Sequence, residues 1–134
     1  MNLAELYDEI FTVLDAAQIE LHVPNDGPGV RGAVPAPYVE LPPIVYGAGG
    51  PGLHRIDDLG LAIFFGPANN ATVFRTALAY ASTTGDKSIK SVLEAHAWEA
   101  CGTMFVASAE PTVETVQGSN PSLGYTFHLQ ITGG

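Results

Sequence analysis

Tyr125-Thr126-Phe127-His128-Leu129-Gln130-Ile131-Thr132 is the stretch that decides the fold. Tyr125, Phe127, Leu129 and Ile131 alternate with Thr126, His128, Gln130 and Thr132, so one face is apolar and the other wet. Successive side chains of a strand point to opposite faces, and a half-wet strand belongs to an antiparallel sheet with one face on a core. Upstream, Leu59, Leu61, Ile63 and Phe65 alternate with Gly60, Ala62 and Phe64. Both of those faces are fairly apolar, which predicts a strand covered on both sides. Thr103 to Ala109 is apolar and strand-like, and Thr112 to Gln117 can continue it beyond Pro111. Tyr38 to Tyr46 reads as a strand interrupted by Pro42-Pro43. Proline cannot donate to a sheet ladder, so this strand belongs on an edge or at a bend.

Three helices fill the rest. In residues 3–20, Leu3, Leu6, Tyr7, Ile10 and Leu14 share one helical face, with Asn2 as the cap and Glu5 in capping-box position. Glu5, Asp8 and Glu9 suit the positive end of the helix dipole. Asn69 or Asn70 caps a second helix, with Val73, Phe74, Ala77, Leu78 and Ala81 on one face and Gly85 at its end. Asp86 or Ser88 starts a third, with Ile89, Val92, Leu93, His96 and Ala97 as its inner stripe. Between the first helix and the edge strand, residues 21–43 form a long Pro/Gly-rich loop or arm. Gly118 to Ser122 is turn-rich. The expected fold is therefore α+β: a mostly antiparallel four- to five-stranded sheet with about three helices packed on one face, in a single domain over 1–134.

Composition excludes several functions. The 134 residues carry 14 Asp plus Glu against 5 Lys plus Arg, a net charge of -9. A nucleic-acid binder needs a basic surface to displace counterions, and Arg31, Arg55, Arg75, Lys87 and Lys90 are scattered. The same deficit argues against an anionic membrane surface. Met1-Asn2-Leu3-Ala4-Glu5 does not read as a secretory signal, and no apolar stretch approaches a membrane span. The expectation is a soluble chain, cytoplasmic at synthesis. Cys101 is the only cysteine, which leaves no internal disulfide and no cysteine-based metal site.

The motifs weigh the same way. Gly47-Ala48-Gly49-Gly50-Pro51-Gly52 fits G-x-G-x-x-G as a string. That motif needs a helix N-terminus to open at once, whereas here Leu53 to Asp58 leads into a strand. It reads as a strand connection. His22, His54, His96 and His128 show no helical ligand spacing. His96 reads as a satisfied core or interface residue and His128 as a wet-face residue. No serine sits in a nucleophile elbow, and Cys101 reads as a small buried thiol. Asp57 and Asp58 are adjacent at a strand's start, so they point to opposite faces and do not form an acid pair. Asn70-Ala71-Thr72 is a glycosylation sequon by string alone. No catalytic, cofactor-binding or metal-ligating residue is assigned, and no enzyme or cofactor is expected.

The order of these segments carries a resemblance across nearly the whole chain. An N-terminal helix leads through a proline-rich stretch to Pro35-Ala36-Pro37-Tyr38-Val39-Glu40-Leu41-Pro42-Pro43-Ile44-Val45-Tyr46. The apolar strand Leu59 to Gly66 follows, then the helix from Asn70, then Ser88-Ile89-Lys90-Ser91-Val92-Leu93-Glu94-Ala95-His96, and finally Gly124 to Ile131. This resembles the tail terminator proteins of long-tailed bacteriophages, especially those of actinobacterial hosts. The resemblance implies a non-enzymatic virion protein that forms a hexameric ring at the head-proximal end of the tail tube. Its partners would be copies of itself, the tail tube protein and the head–tail connector or head-closure protein. Genomic DNA would cross the lumen without specific binding, and an acidic bore suits that passage. The implied location is the virion, with the host cytoplasm during assembly. Loops 21–43, 47–56 and 117–123 are candidate contacts, and edge strand 38–46 could add to a neighbour's sheet. The glycine-rich 47–52 loop has no assigned place in such a ring. Two other readings stay open: another head–tail joining or minor tail protein, and a small ligand-binding domain or enzyme. The last predicts a closed pocket with convergent polar groups.

Overall fold

A computed structural model describes residues 2–19, 36–39, 41–46, 54–114 and 121–133. Eight elements follow in chain order: α1 (Leu3–Ala16), β1 (Ala36–Val39), β2 (Val45–Tyr46), β3 (His54–Pro67), α2 (Ala71–Ala81), α3 (Ile89–Ala95), β4 (Thr103–Glu114) and β5 (Ser122–Thr132). Of the expected 21–43 arm, residues 21–35 and 40 lie outside the described residues and Ala36–Val39 form strand β1 rather than loop; the glycine loop 47–52, His22, Arg31 and the turn 118–120 also lie outside the described residues.

The sheet is antiparallel throughout, in the order β1-β3-β5-β4, with β2 also on β3. The expectation of four to five strands is corrected here. Three full-length strands, β3, β5 and β4, make the sheet. The chain on the other side of β3 is broken into pieces of four and two residues. Pro42-Pro43 is the physical cause, since a segment without N–H groups cannot keep a ladder. β1 pairs with Leu61–Phe64 and β2 with His54–Arg55, so the proline segment passes the stretch where β3 slips register, between Ile56 and Leu59. The coarser α+β class stands.

Two expected loops are also shorter than predicted. Residues 54–56 of the 47–56 loop already belong to β3, and Ser122 and Leu123 of the 117–123 loop belong to β5. Pro111 does not end β4, which continues to Glu114. β4 is the outer strand of the order, and an edge tolerates a missing N–H.

One core joins the helices to the sheet. Leu6, Ile10 and Leu14 of α1, Tyr80 of α2 and Ile89 and Leu93 of α3 are buried with Leu61, Ile63, Phe127, Leu129 and Ile131. Burying side chains of this size stabilises by roughly 1.5–3 kcal/mol each. The opposite face of β3 is covered too, with Ala62 and Phe64 buried, as its two-sided apolar pattern predicts. Gly124, in register with Phe64, permits that closeness. A Cβ built there would lie 2.4 Å from the Ile63 carbonyl oxygen.

The helix ends obey local chemistry. Asn2 Oδ1 accepts the Glu5 N–H (3.1 Å), Asn70 Oδ1 those of Thr72 (2.9 Å) and Val73 (3.3 Å), and Ser88 Oγ that of Ser91 (3.2 Å). α1 stops at Ala16 rather than reaching residue 20. Gln18 adopts φ 61, its N–H bonds to Asp15 and the Ile19 N–H to Leu14, a Schellman closure sealed by buried Ile19 against Leu14. α2 departs most from expectation. It ends at Ala81, before Gly85, and buries Ala77 and Tyr80, while Phe74 and Leu78 face solvent.

Candidate functional site

Three side-chain constellations and one cavity stand out among the described residues. The first is on the face of the sheet away from the helical core. His128 Nδ1 lies 2.7 Å from Asp58 Oδ1, and its Nε2 lies 3.8 Å from Glu110 Oε2. The Nε2 atom is buried and has no hydrogen-bond partner among the described residues. The His128–Asp58 contact joins β5 to β3 across the ladder. A carboxylate on one ring nitrogen fixes an imidazole, as in many acid–base sites. Asp57 pairs instead with Arg55 at 2.7 Å, so the two adjacent aspartates serve different partners, as strand geometry dictates. No group of three or more His, Cys, Asp or Glu is placed to hold a metal among the described residues.

The second constellation ties α1 to the α3–β4 connection. Glu9 Oε2 accepts the Glu99 N–H (3.1 Å) and lies 2.8 Å from His96 Nε2, while Oε1 accepts the Ala100 N–H (2.8 Å). Burial alone would raise the Glu9 carboxyl. The two backbone donors and His96 outweigh it and hold the group below its ordinary value. His96 caps α3 and stands edge-on to Trp98 at 4.8 Å, whose indole N–H donates to the Leu93 carbonyl (2.8 Å). Cys101 follows directly. Burial first, then the Glu9 charge, pushes its thiol up to about 11, which makes it inert at neutral pH.

The third constellation closes part of the β4 edge. Glu94 Oε2 accepts the Val106 N–H (2.8 Å), and Lys90 Nζ donates to the Val106 carbonyl (3.1 Å) and to Glu94 (2.6 Å). Lys90 also sits 4.8 Å over the Phe105 ring. The ladder slips between Val106 and Ser108, just beyond this point. Side chains thus occupy edge groups that would otherwise invite another strand.

The cavity, about 310 Å³, opens between α1 and the β1–β3 edge. Leu3, Tyr7 and Phe11 form one wall, and Leu41, Leu59 and Leu61 are among the residues opposite. Among the described residues Tyr7 brings its only polar side chain. That differs from a ligand pocket with convergent polar groups. Burial and then the neighbouring Asp8 charge raise the Tyr7 phenol.

Cys101 is buried, as its setting suggests, and Asn70 of the sequon caps α2. The Glu9 anchor was not legible from residues 87 to 91 positions apart, nor was the His128–Asp58 contact. The Lys90–Glu94 pair had a signal, opposite charges at i,i+4. No family model, no curated protein and no solved structure matches this chain.

Proposed function

We propose that this chain is a structural virion subunit, a tail terminator, that assembles into a ring on the head-proximal end of a phage tail tube. The observation that carries the reading is the order of segments: capped helix, proline-broken edge strand, long apolar strand, two short helices and a closing antiparallel pair. The charge distribution supports it. Arg55 pairs with Asp57, Lys90 with Glu94, and Lys87 donates to the Gln18 carbonyl. Three of the five cations are engaged within the chain at its surface, and a net charge of -9 leaves little with which to grip a polyanion moving past.

The mechanism is geometric. A heterologous contact repeated around an axis closes into a ring with two unlike rims. One rim matches the last ring of the tube; the other does not match an incoming tube subunit, so growth stops and the connector docks there. Electron microscopy of particles lacking this chain tests the reading. Overlong tails are expected. Headless tails of normal length would point to a head-closure protein instead.

A further inference from the structure

Two surfaces of the chain are apolar, exposed and unlike. On α2, Phe74 is 54% exposed and Leu78 43%, one helical turn apart. Exposed large apolar side chains in pairs mark contact sites more than lone ones do. Arg75 stands on the same solvent side of α2. Among the described residues neither an ion pair nor a hydrogen bond engages its guanidinium, whereas Arg55, Lys87 and Lys90 are each engaged. The other surface is the cavity beside α1, walled by Leu3, Tyr7 and Phe11, with Leu41 at 99% exposure beside it. Asp8 and Asp15 stand along the outer side of that same wall, and neither carboxylate is paired among the described residues.

The features complement each other in shape and charge. A convex apolar ridge flanked by a lone cation sits on one helix. A concave apolar slot flanked by unpaired carboxylates sits on another. α2 and α1 are different patches, so a contact between them is head-to-tail rather than two-fold, the kind that builds rings. Electrostatic matching of this sort sets register and partner choice.

We infer that the Phe74–Leu78 ridge of one copy seats in the α1–β3 cavity of the next copy, with Arg75 facing Asp8. This rests on the ring reading above and names its contact. The bound apolar pair supplies the affinity, and the Arg75–Asp8 pair fixes the sliding position along α1.

Charge reversal tests it. Arg75→Asp and Asp8→Arg are made singly on the full chain; both sites are exposed, and circular dichroism confirms that each variant folds. Sedimentation velocity reads self-association up to about 1 mM, the weakest binding the contact admits. Each single variant is expected to associate at least about tenfold more weakly than wild type. An equimolar mixture of the two is expected to recover association, because each then presents the other's complement. Single variants that associate like wild type, or a mixture that stays dissociated, would overturn the contact while leaving a ring built by other surfaces. A wild-type chain monomeric at about 1 mM would also overturn it, leaving the ring reading to a template-built interface.

Discussion

Removing the Glu9 carboxylate should unfasten α1 from the rest of the molecule. The side chain is 17% exposed and receives two backbone N–H bonds and one contact from His96. Hydrogen bonds to a charged group are worth about 1.5–3 kcal/mol each, but three sharing one carboxylate do not add in full. Glu9→Ala strands the Glu99 and Ala100 donors, and alanine's better helix propensity returns only a few tenths of a kcal/mol. The net loss should be about 3 kcal/mol, and about 1–1.5 kcal/mol for Glu9→Gln, which keeps one acceptor oxygen. With a urea slope of about 1.5 kcal/mol/M, the midpoint should fall by about 2 M for alanine and about 1 M for glutamine. Trp98, the single tryptophan, lies beside His96 and reports the transition by fluorescence. The pH dependence adds a second check. The folded carboxyl lies below its unfolded value, so its contribution is fully present above the unfolded value and is lost as pH falls through the folded one. The gap between wild type and Glu9→Gln should therefore close on acidification. A gap unchanged between about pH 7 and pH 3, or a midpoint unmoved in Glu9→Ala, would refute the anchoring role.

Gly124→Ala should destabilise by about 2–3 kcal/mol, because the added methyl meets the Ile63 carbonyl at 2.4 Å; an unchanged thermal midpoint would show that the strands can part freely. Gln18→Gly should stabilise by about 0.5–1 kcal/mol, since the φ of 61 suits glycine at the α1 end; urea titration reads the sign. Cys101 should resist a thiol-reactive dye at pH 8 in the folded chain and react promptly in urea, given a thiol pushed to about 11. Lys90→Met together with Glu94→Ala should speed hydrogen exchange at the Val106 amide, which a protected amide would contradict.

The sequence spoke clearly where one physical pattern dominated. The alternation in Tyr125–Thr132 placed Phe127, Leu129 and Ile131 in the core, and the two-sided apolar run placed both Ile63 and Phe64 in cover. The Asn2 cap followed from local donor chemistry, and of the open pairs Asn69 or Asn70 and Asp86 or Ser88 the fold uses Asn70 and Ser88. Strand count was misjudged because apolar character over Tyr38–Tyr46 suggested more pairing than Pro42-Pro43 permits. The α2 face was misjudged because Phe74 and Leu78 are apolar at helical spacing, yet Tyr80 fills the place against Phe65, with ring centres 4.9 Å apart. Periodicity identifies an apolar stripe, not what covers it. Contacts such as Glu9–Ala100 and Asp58–His128 arise only from the fold, since charge between residues 91 and 70 positions apart leaves no local signature.

Tail length in particles assembled without this chain is the most direct test of the proposed terminator role. Micrographs should show tails of variable and excessive length, restored to one length when the chain is supplied in trans. Tails of uniform normal length in its absence would contradict the assignment of a ring that ends tube growth.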